Sequence, residues 1–232
     1  MQQRELTTRQ AAAFLGISDA SLKRLCDAGG LPCRREGKAR RFALSDLIAD
    51  LRTRDAAPTD LLSALEAGHL DACAALIAQQ WSDGASFAHC FDTLLASSFS
   101  SPGVPRLMSR LQALAAPPAR LLPAAIVGPE SGQREASALS MACVVLRARG
   151  FQPLATPAQT SAGELASLAL RASAAVIVLA APLPDGDRLV EALGGTPLLF
   201  LDPAACRFVE LDARLRTVAA DYQTRTRSAG AR

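Results

Sequence analysis

The amino-acid sequence predicts a multi-domain protein of the α and α/β classes, with a small helical head, a short helical bundle and a carboxy-terminal, doubly wound parallel sheet. Charge is the first observation: residues 1–54 hold eleven Lys/Arg against six Asp/Glu, and the remainder holds fourteen against sixteen. Leucines at helical spacing follow, and then apolar runs that alternate with helical patterns. A basic head on a near-neutral body indicates a nucleic-acid-binding segment joined to another module.

Local signals at the start of the chain predict two short helices joined by a tight turn. Thr7 has the properties of an N-cap, and Gln10 three residues later can complete a capping box. Gly16 can end this helix, because glycine adopts a left-handed conformation at little steric cost. Ser18 is then expected to cap a second helix over residues 19–28.

The second helix has an apolar side and a polar side. Leu22 and Leu25 fall at helical spacing, so we expect them to face the first helix. Ser21, Lys23 and Arg24 are left on the outer side. A helix that enters a DNA major groove needs this arrangement, because its polar side meets base edges and phosphates while its apolar side stays anchored.

A basic hairpin is predicted next, with its turn at residues 36–38. The cations that flank this turn are Arg34, Arg35, Lys38, Arg40 and Arg41. Because crowded like charges repel one another, the hairpin favours a polyanion as its partner. Ser45 and Asp46 are expected to cap a third helix that runs to Leu51. The order of helix, turn, helix, basic hairpin and helix predicts a winged helix-turn-helix over residues 1–54.

This head resembles the DNA-binding domain of the MerR and excisionase-like regulators through the motifs TTRQAAAFLGIS, SLKRLCDAGGLPCRR and GKARRF. The resemblance implies a recognition helix and a basic wing. It departs from the family at Leu25, where an aromatic residue is frequent, and at Ala39, where a His is frequent. The alternative is a small helical cap with a solvated charged face, which the single sign of the charge disfavours. We therefore predict that the DNA contacts come from Ser18, Ser21, Lys23, Arg24, Arg34, Arg35, Lys38, Arg40 and Arg41.

Cysteine usage and hydropathy indicate an intracellular protein. The cysteines lack the paired spacing of a zinc or redox motif, so we expect reduced, largely buried thiols at Cys26, Cys33, Cys73, Cys90, Cys143 and Cys206. Polar residues follow Met1 directly, which argues against a signal peptide. No apolar run approaches the roughly 20 residues that span a bilayer. We expect a cytoplasmic location without membrane association.

Residues 58–118 predict a small helical bundle after a linker at residues 55–58. Leucines repeat at spacings of three and four, and Gly68 separates the first two helices. Further helices are predicted at residues 86–96 and 106–114.

Both histidines of the chain, His69 and His89, belong to this segment, together with Trp81 and Cys90. Imidazole and thiolate are common axial ligands, so a haem or metal site is conceivable here. Two histidines without helical pairing are weak evidence for such a site, and we favour ordinary surface or packing histidines.

The carboxy-terminal half alternates strand-like and helix-like segments. Strands are predicted at residues 124–128, 151–156, 174–180 and 197–201, with a last one at 207–211; helices are predicted at 131–149, 162–171, 188–193 and 213–222. Nearly continuous apolar strands between helices predict a doubly wound, flavodoxin-like domain over residues 121–222. The polar, basic residues 223–232 are expected to form a disordered tail.

Residues 60–212 also resemble, more distantly, the cobalamin-binding sensor regulators, through the segment AIVGPESGQREASALSMACVVLRARGF. The resemblance implies a cobalt-ligating His in the first loop and a Gly three residues later, where this chain has Arg134 and Ser137. A guanidinium has no lone pair to donate to a metal. We therefore expect the fold to be kept without cobalamin, and predict no cofactor or metal site.

Catalytic motifs are also missing from this half. The loop at residues 128–132 could meet a phosphate, but it lacks the glycine spacing of a dinucleotide loop and the Gly-Lys-Ser/Thr of a nucleotide-hydrolysing loop. Glu130, Arg134 and Glu135 are more simply a solvated helix start. No nucleophile and base pair can be identified, so we expect no enzyme and no catalytic residue.

The sequence as a whole predicts a DNA-binding transcriptional regulator. Its carboxy-terminal half would be a cofactor-free module for dimerisation, partner binding or sensing. A homodimer bound to double-stranded DNA is expected, because one short recognition helix reads too few base pairs. Two alternatives stay open: an antirepressor-type protein that binds another regulator, and a haem- or cobalamin-dependent sensor.

Overall fold

The computed structural model describes residues 4–55, 61–115, 124–128, 132–181, 183, 186–193, 195–201 and 207–229. The chain divides into two compact units, Met1–Ala116 and Pro117–Arg232. The fold class predicted from the sequence is confirmed, with a winged helix-turn-helix and further helices in the first unit and a parallel sheet between helices in the second. The predicted linker and the loop after residue 128 lie mainly outside the described residues, as does Cys206.

The head in the first unit combines three helices with a three-stranded antiparallel sheet of order β1-β3-β2. Its elements are β1 (Glu5–Thr7), α1 (Thr8–Leu15), α2 (Asp19–Asp27), β2 (Arg34–Glu36), β3 (Ala39–Ala43) and α3 (Leu44–Arg54). The sequence analysis did not predict β1, which is too short to show an alternating pattern. It pairs with β3, and this places Leu6 opposite Phe42, both buried.

The helix ends of the head follow the predicted signals at Thr7, Gly16 and Ser18 and depart from them at the start of α3. Gln10 N donates to Thr7 Oγ1 at 3.3 Å and Thr7 N donates to Gln10 Oε1 at 3.0 Å, which completes the capping box. Gly16 has a φ of +68°, as a left-handed helix stop requires. The cap predicted at Ser45 and Asp46 is wrong, because α3 begins at Leu44. The Leu44 N–H bonds to the Arg4 carbonyl at 2.9 Å, so one free helix donor is satisfied without a side-chain cap.

Four further helices complete the first unit: α4 (Leu61–Glu66), α5 (Leu70–Ser82), α6 (Phe87–Leu94) and α7 (Gly103–Leu114). Helix α5 packs against α3, and α7 packs against α1. The segments that we predicted as separate domains, residues 1–54 and 58–118, therefore fall in one compact unit as far as residue 116. On the α5 side, the Arg4 guanidinium lies 3.7 Å from the ring centre of Trp81.

The two histidines of the chain have different surroundings. His69 precedes α5 and lies with Nδ1 3.2 Å from Asp55 Oδ1, whereas His89 is exposed on α6. Over the described residues, no group of three or more His, Cys, Asp or Glu side chains could hold a metal ion.

The second unit is a four-stranded parallel sheet of order β5-β4-β6-β7. Its elements are β4 (Ala124–Val127), α8 (Gln133–Ala148), β5 (Gln152–Ala155), α9 (Ala162–Arg171), β6 (Val176–Leu179), α10 (Gly186–Ala192), β7 (Leu198–Phe200) and α11 (Phe208–Ala229). Helices α9 and α10 pack together over Ile126, Ile177 and Leu179. Side chains alternate along a strand, so the remaining strand residues face the other layer, where α8 packs against α11. The sheet is thus doubly wound.

The end of the chain is helical where the sequence analysis predicted a strand and a tail. The predicted strand at residues 207–211 is the first part of α11, because Phe208, Leu211 and Leu215 recur at helical spacing and are buried. This helix continues through Ala229, so the prediction of disorder from residue 223 is wrong as far as residue 229. Residues 230–232 lie outside the described part of the chain.

The loop end of the sheet is tightly packed where β4 finishes. A Cβ at Gly128 would lie 2.1 Å from Leu179 Cδ2, so any other residue at this position requires the buried side chain of Leu179 to move. Ser137, which stands where the cobalamin-binding family has a glycine, is buried in α8, and Arg134 is exposed. No helix in the described ranges is long and apolar enough to cross a membrane.

Candidate DNA interface

The α1–α2 turn sets the position of α2. Gly16 N donates to Ala13 O at 3.2 Å, and Ile17 N donates to Ala12 O at 3.0 Å. These bonds satisfy two carbonyls at the end of α1 and reverse the chain within three residues. Ser18 then caps α2, since its Oγ accepts from Ser21 N at 3.1 Å. Leu22 is fully buried and anchors α2 on its inner side.

The outer side of α2 carries the cations that the sequence analysis predicted. Lys23 and Arg24 are exposed, whereas Leu25 is half-buried. The two serines are occupied locally: Ser21 Oγ lies 2.9 Å from Ser18 Oγ and accepts from Arg24 Nη2 at 3.4 Å. The hydroxyls therefore shape the start of the helix, and the long cationic side chains are the groups that extend from it.

Two wing arginines are held by carboxylates within the head. Arg34 donates from Nε at 3.1 Å and from Nη2 at 2.7 Å to the Glu5 carboxylate, which lies on β1, on the far side of β3 from the strand of Arg34. Arg41 Nε donates to Glu36 Oε2 at 2.7 Å. These hydrogen bonds lower the pKa of both carboxyls from their ordinary values. Part of the positive charge that the sequence places on the hairpin is therefore already neutralised.

Arg40 connects the wing to α2. Its Nη1 donates to the Lys23 carbonyl at 3.1 Å and its Nη2 to Asp27 Oδ1 at 2.8 Å, with 18% of the side chain exposed. A cation at this place adds a bond to a carbonyl in the second half of the helix and complements the negative end of its dipole. Beside it, burial raises the pKa of the Cys26 thiol to about 11, with a smaller contribution from Cys33. Arg40 thus ties the wing to the carboxyl-terminal part of α2.

The cations that stay available define the candidate interface. In the described residues no carboxylate pairs with the exposed side chains of Lys23, Arg24, Arg35 and Lys38, which we call the free cations. Arg9, exposed in the first turn of α1, was not among the residues predicted to contact DNA. The first helix crosses the DNA backbone in such motifs, so a cation just after its N-cap is a further candidate for a phosphate contact.

Comparison with known proteins places the head in a recognised class of domain. The family described as "Helix-turn-helix domain" matches residues 5–55. The transcriptional repressor DcmR of Methylorubrum extorquens (strain DSM 6343 / CIP 106787 / DM4) is 52% identical over 46 residues, which make up 19% of this chain. The match spans 17% of the length of that repressor. The chain thus carries an amino-terminal helix-turn-helix domain that is similar to part of a transcriptional repressor.

Proposed function

We propose that this protein is a MerR-like transcriptional regulator that binds specific sites in double-stranded DNA through α2 and the β2–β3 wing. The observation that carries the proposal is that some cations of the head are paired with carboxylates of the head and others are not. Arg34, Arg40 and Arg41 are each paired with a carboxylate of the head, while the free cations extend from the outer side of α2 and from the wing without such a partner among the described residues. Exposed cations on a helix-turn-helix scaffold are suited to phosphates and base edges.

The free cations divide by position into two roles. Lys23 and Arg24 lie on the helix that enters the major groove in this kind of domain, so they are the candidates for reading bases. Arg35 and Lys38 lie on the wing, where a cation contacts the phosphate backbone and adds affinity without sequence information. Loss of a helix cation should therefore relax specificity, whereas loss of a wing cation should weaken binding to all sequences.

The active form in this proposal is a homodimer, and the second unit provides dimerisation, partner binding or sensing. One α2 spans only a few base pairs, and a second copy related by two-fold symmetry would read the other half of an inverted repeat. Large exposed apolar side chains on the second unit support a role in protein contacts, among them Phe200 at 54% and Val209 at 48% exposure. They also favour the second candidate function, an antirepressor-type protein that binds another regulator.

Selection from a random duplex library with the full chain tests the proposal. We expect the enriched sequences to share an inverted repeat, and Arg24→Ala to lose the enrichment. Arg171→Ala is the matched control, because it removes one exposed cation from α9 in the second unit and should leave the enrichment unchanged. A wild-type protein that enriches no sequence would contradict the proposal, and co-purification of a partner protein would then favour the antirepressor.

A further inference from the structure

A buried arginine joins the helical bundle to the helix-turn-helix. Arg110 of α7 donates from Nε to the Phe14 carbonyl at 2.7 Å, and from Nη1 to Asp71 Oδ1 at 2.6 Å. Only 10% of its side chain is exposed, and 24% of that of Asp71. A buried guanidinium loses its hydration, so these two bonds fix its place closely.

The carbonyl that Arg110 holds is one of the free acceptors at the end of α1. The bonds of the α1–α2 turn use the carbonyls of Ala12 and Ala13, which leaves Phe14 O for Arg110. Gly16 follows two residues later, and a Cβ placed on it would lie 3.7 Å from Arg110 Nε. Arg110 therefore packs directly on the turn that leads into α2.

Asp71, the carboxylate partner of Arg110, also contacts an arginine at the end of α3. Arg54 Nη1 lies 3.8 Å from Asp71 Oδ2, and Arg54 Nη2 donates to Asp50 Oδ2 at 2.5 Å. Asp71 thus meets one arginine from α7 and one from α3. Two elements of the head are tied to the bundle at a single carboxylate.

We infer that Arg110, held by Asp71, is a positioning residue for DNA recognition: it fixes the α1–α2 turn and hence the angle at which α2 meets the groove. The inference rests on the proposed function, and it adds residues far outside the helix-turn-helix segment to the determinants of specificity. Arg110 touches no DNA in this scheme. Its loss changes how well Lys23 and Arg24 reach base edges, while Arg35 and Lys38 of the wing still contact phosphates.

Charge-conserving variants test this inference. Arg110→Lys keeps the positive charge but cannot make both bonds in the geometry of a guanidinium. The affinity of the full-length protein is measured for the operator selected by the wild type and for calf-thymus DNA, across a series of salt concentrations. We expect operator affinity to fall about tenfold, as for the loss of one specific contact, with binding to calf-thymus DNA within about twofold of wild type. The slope of affinity against salt should not change, because no phosphate contact is removed.

Arg149→Lys is the matched control, because Arg149 forms a similar partly buried pair with Asp212 in the second unit. It should leave both affinities unchanged. Partial unfolding would lower operator and calf-thymus binding by the same factor, so the ratio of the two separates positioning from stability. If circular dichroism shows that Arg110→Lys is unfolded, the isosteric variant Asp71→Asn is used instead, and its ratio of operator affinity to calf-thymus DNA affinity tests the inference.

Two results would overturn the inference. The first is a folded variant whose ratio of operator affinity to calf-thymus DNA affinity equals that of the wild type. This result overturns the inference about Arg110 but leaves the proposed function intact. A wild-type protein that selects no operator overturns the proposed function and this inference together.

Discussion

The partition of the wing cations leads to a quantitative prediction about salt dependence. Each phosphate neutralised by a cation contributes about −0.9 to the slope of log affinity against log salt concentration. Arg35 and Lys38, the two free cations that we assign to phosphates, thus contribute about −1.8 to the slope for one head and about −3.6 for a dimer on two half-sites. Wing arginines that stay paired with carboxylates add nothing.

Lys38→Ala and Arg34→Ala each remove one positive charge from the wing, but Lys38 is a free cation whereas Arg34 is paired with the Glu5 carboxylate. For one head, Lys38→Ala should flatten the slope by about 0.9, which is about an eightfold loss of affinity at 0.1 M salt relative to a 1 M reference. Arg34→Ala should leave the slope nearly unchanged, because two hydrogen bonds hold this guanidinium on Glu5. Fluorescence anisotropy of a labelled duplex over a range of salt concentrations measures both. An equal flattening by the two variants would mean that the Arg34 pair opens on DNA, and it would refute the reasoning.

Three further predictions follow from other contacts. Glu36→Gln should free Arg41 and steepen the slope by about 0.9 in the same anisotropy assay. Burial raises the pKa of the Asp212 carboxyl, but hydrogen bonds from Arg149 and Arg216 outweigh this effect, and the net result is a lowered pKa. The ionised carboxylate therefore stabilises the folded state at pH values above its unfolded pKa of about 3.9. This stabilisation is lost as the pH falls through the lower pKa of the folded state. Asp212→Asn should therefore lower the melting temperature at pH 7 and have little effect in acid, which thermal scans across pH will show. Because the pKa of Cys26 is about 11, its alkylation by iodoacetamide should accelerate about tenfold per pH unit between pH 7 and 10, as followed by peptide mass spectrometry.

Local signals explain why the predicted elements agree well with the structure in the head and in the sheet. The capping box at Thr7 and the glycine stop at Gly16 act over three or four residues, so the sequence contains the whole interaction. The strand at residues 174–180 was recognisable because a run of apolar residues buried on both faces needs no partner to be identified. Its observed bounds, Val176–Leu179, are shorter, as expected for strand ends.

The errors occur where a distant contact replaced a local signal. Leu44 starts α3 because the Arg4 carbonyl, far away in the chain, accepts its N–H. The segment from residue 207 has the apolar content of a short strand, but it is the start of a long helix that packs against α8 and in which Phe208 and Leu211 are buried. Periodicity over five residues could not separate these two outcomes.

By itself the sequence determined the class of the protein: a basic winged helix-turn-helix, a set of amphipathic helices and a parallel α/β sheet. These follow from hydrophobic period, capping residues and charge, all of which act between near neighbours. Only the tertiary structure decided which cations are free, because Glu5, Asp27 and Glu36 reach their arginines through strand pairing and helix packing. It also decided that Arg110 supports the α1–α2 turn. That contact joins residues 96 positions apart, and no local pattern encodes a hydrogen bond over such a distance.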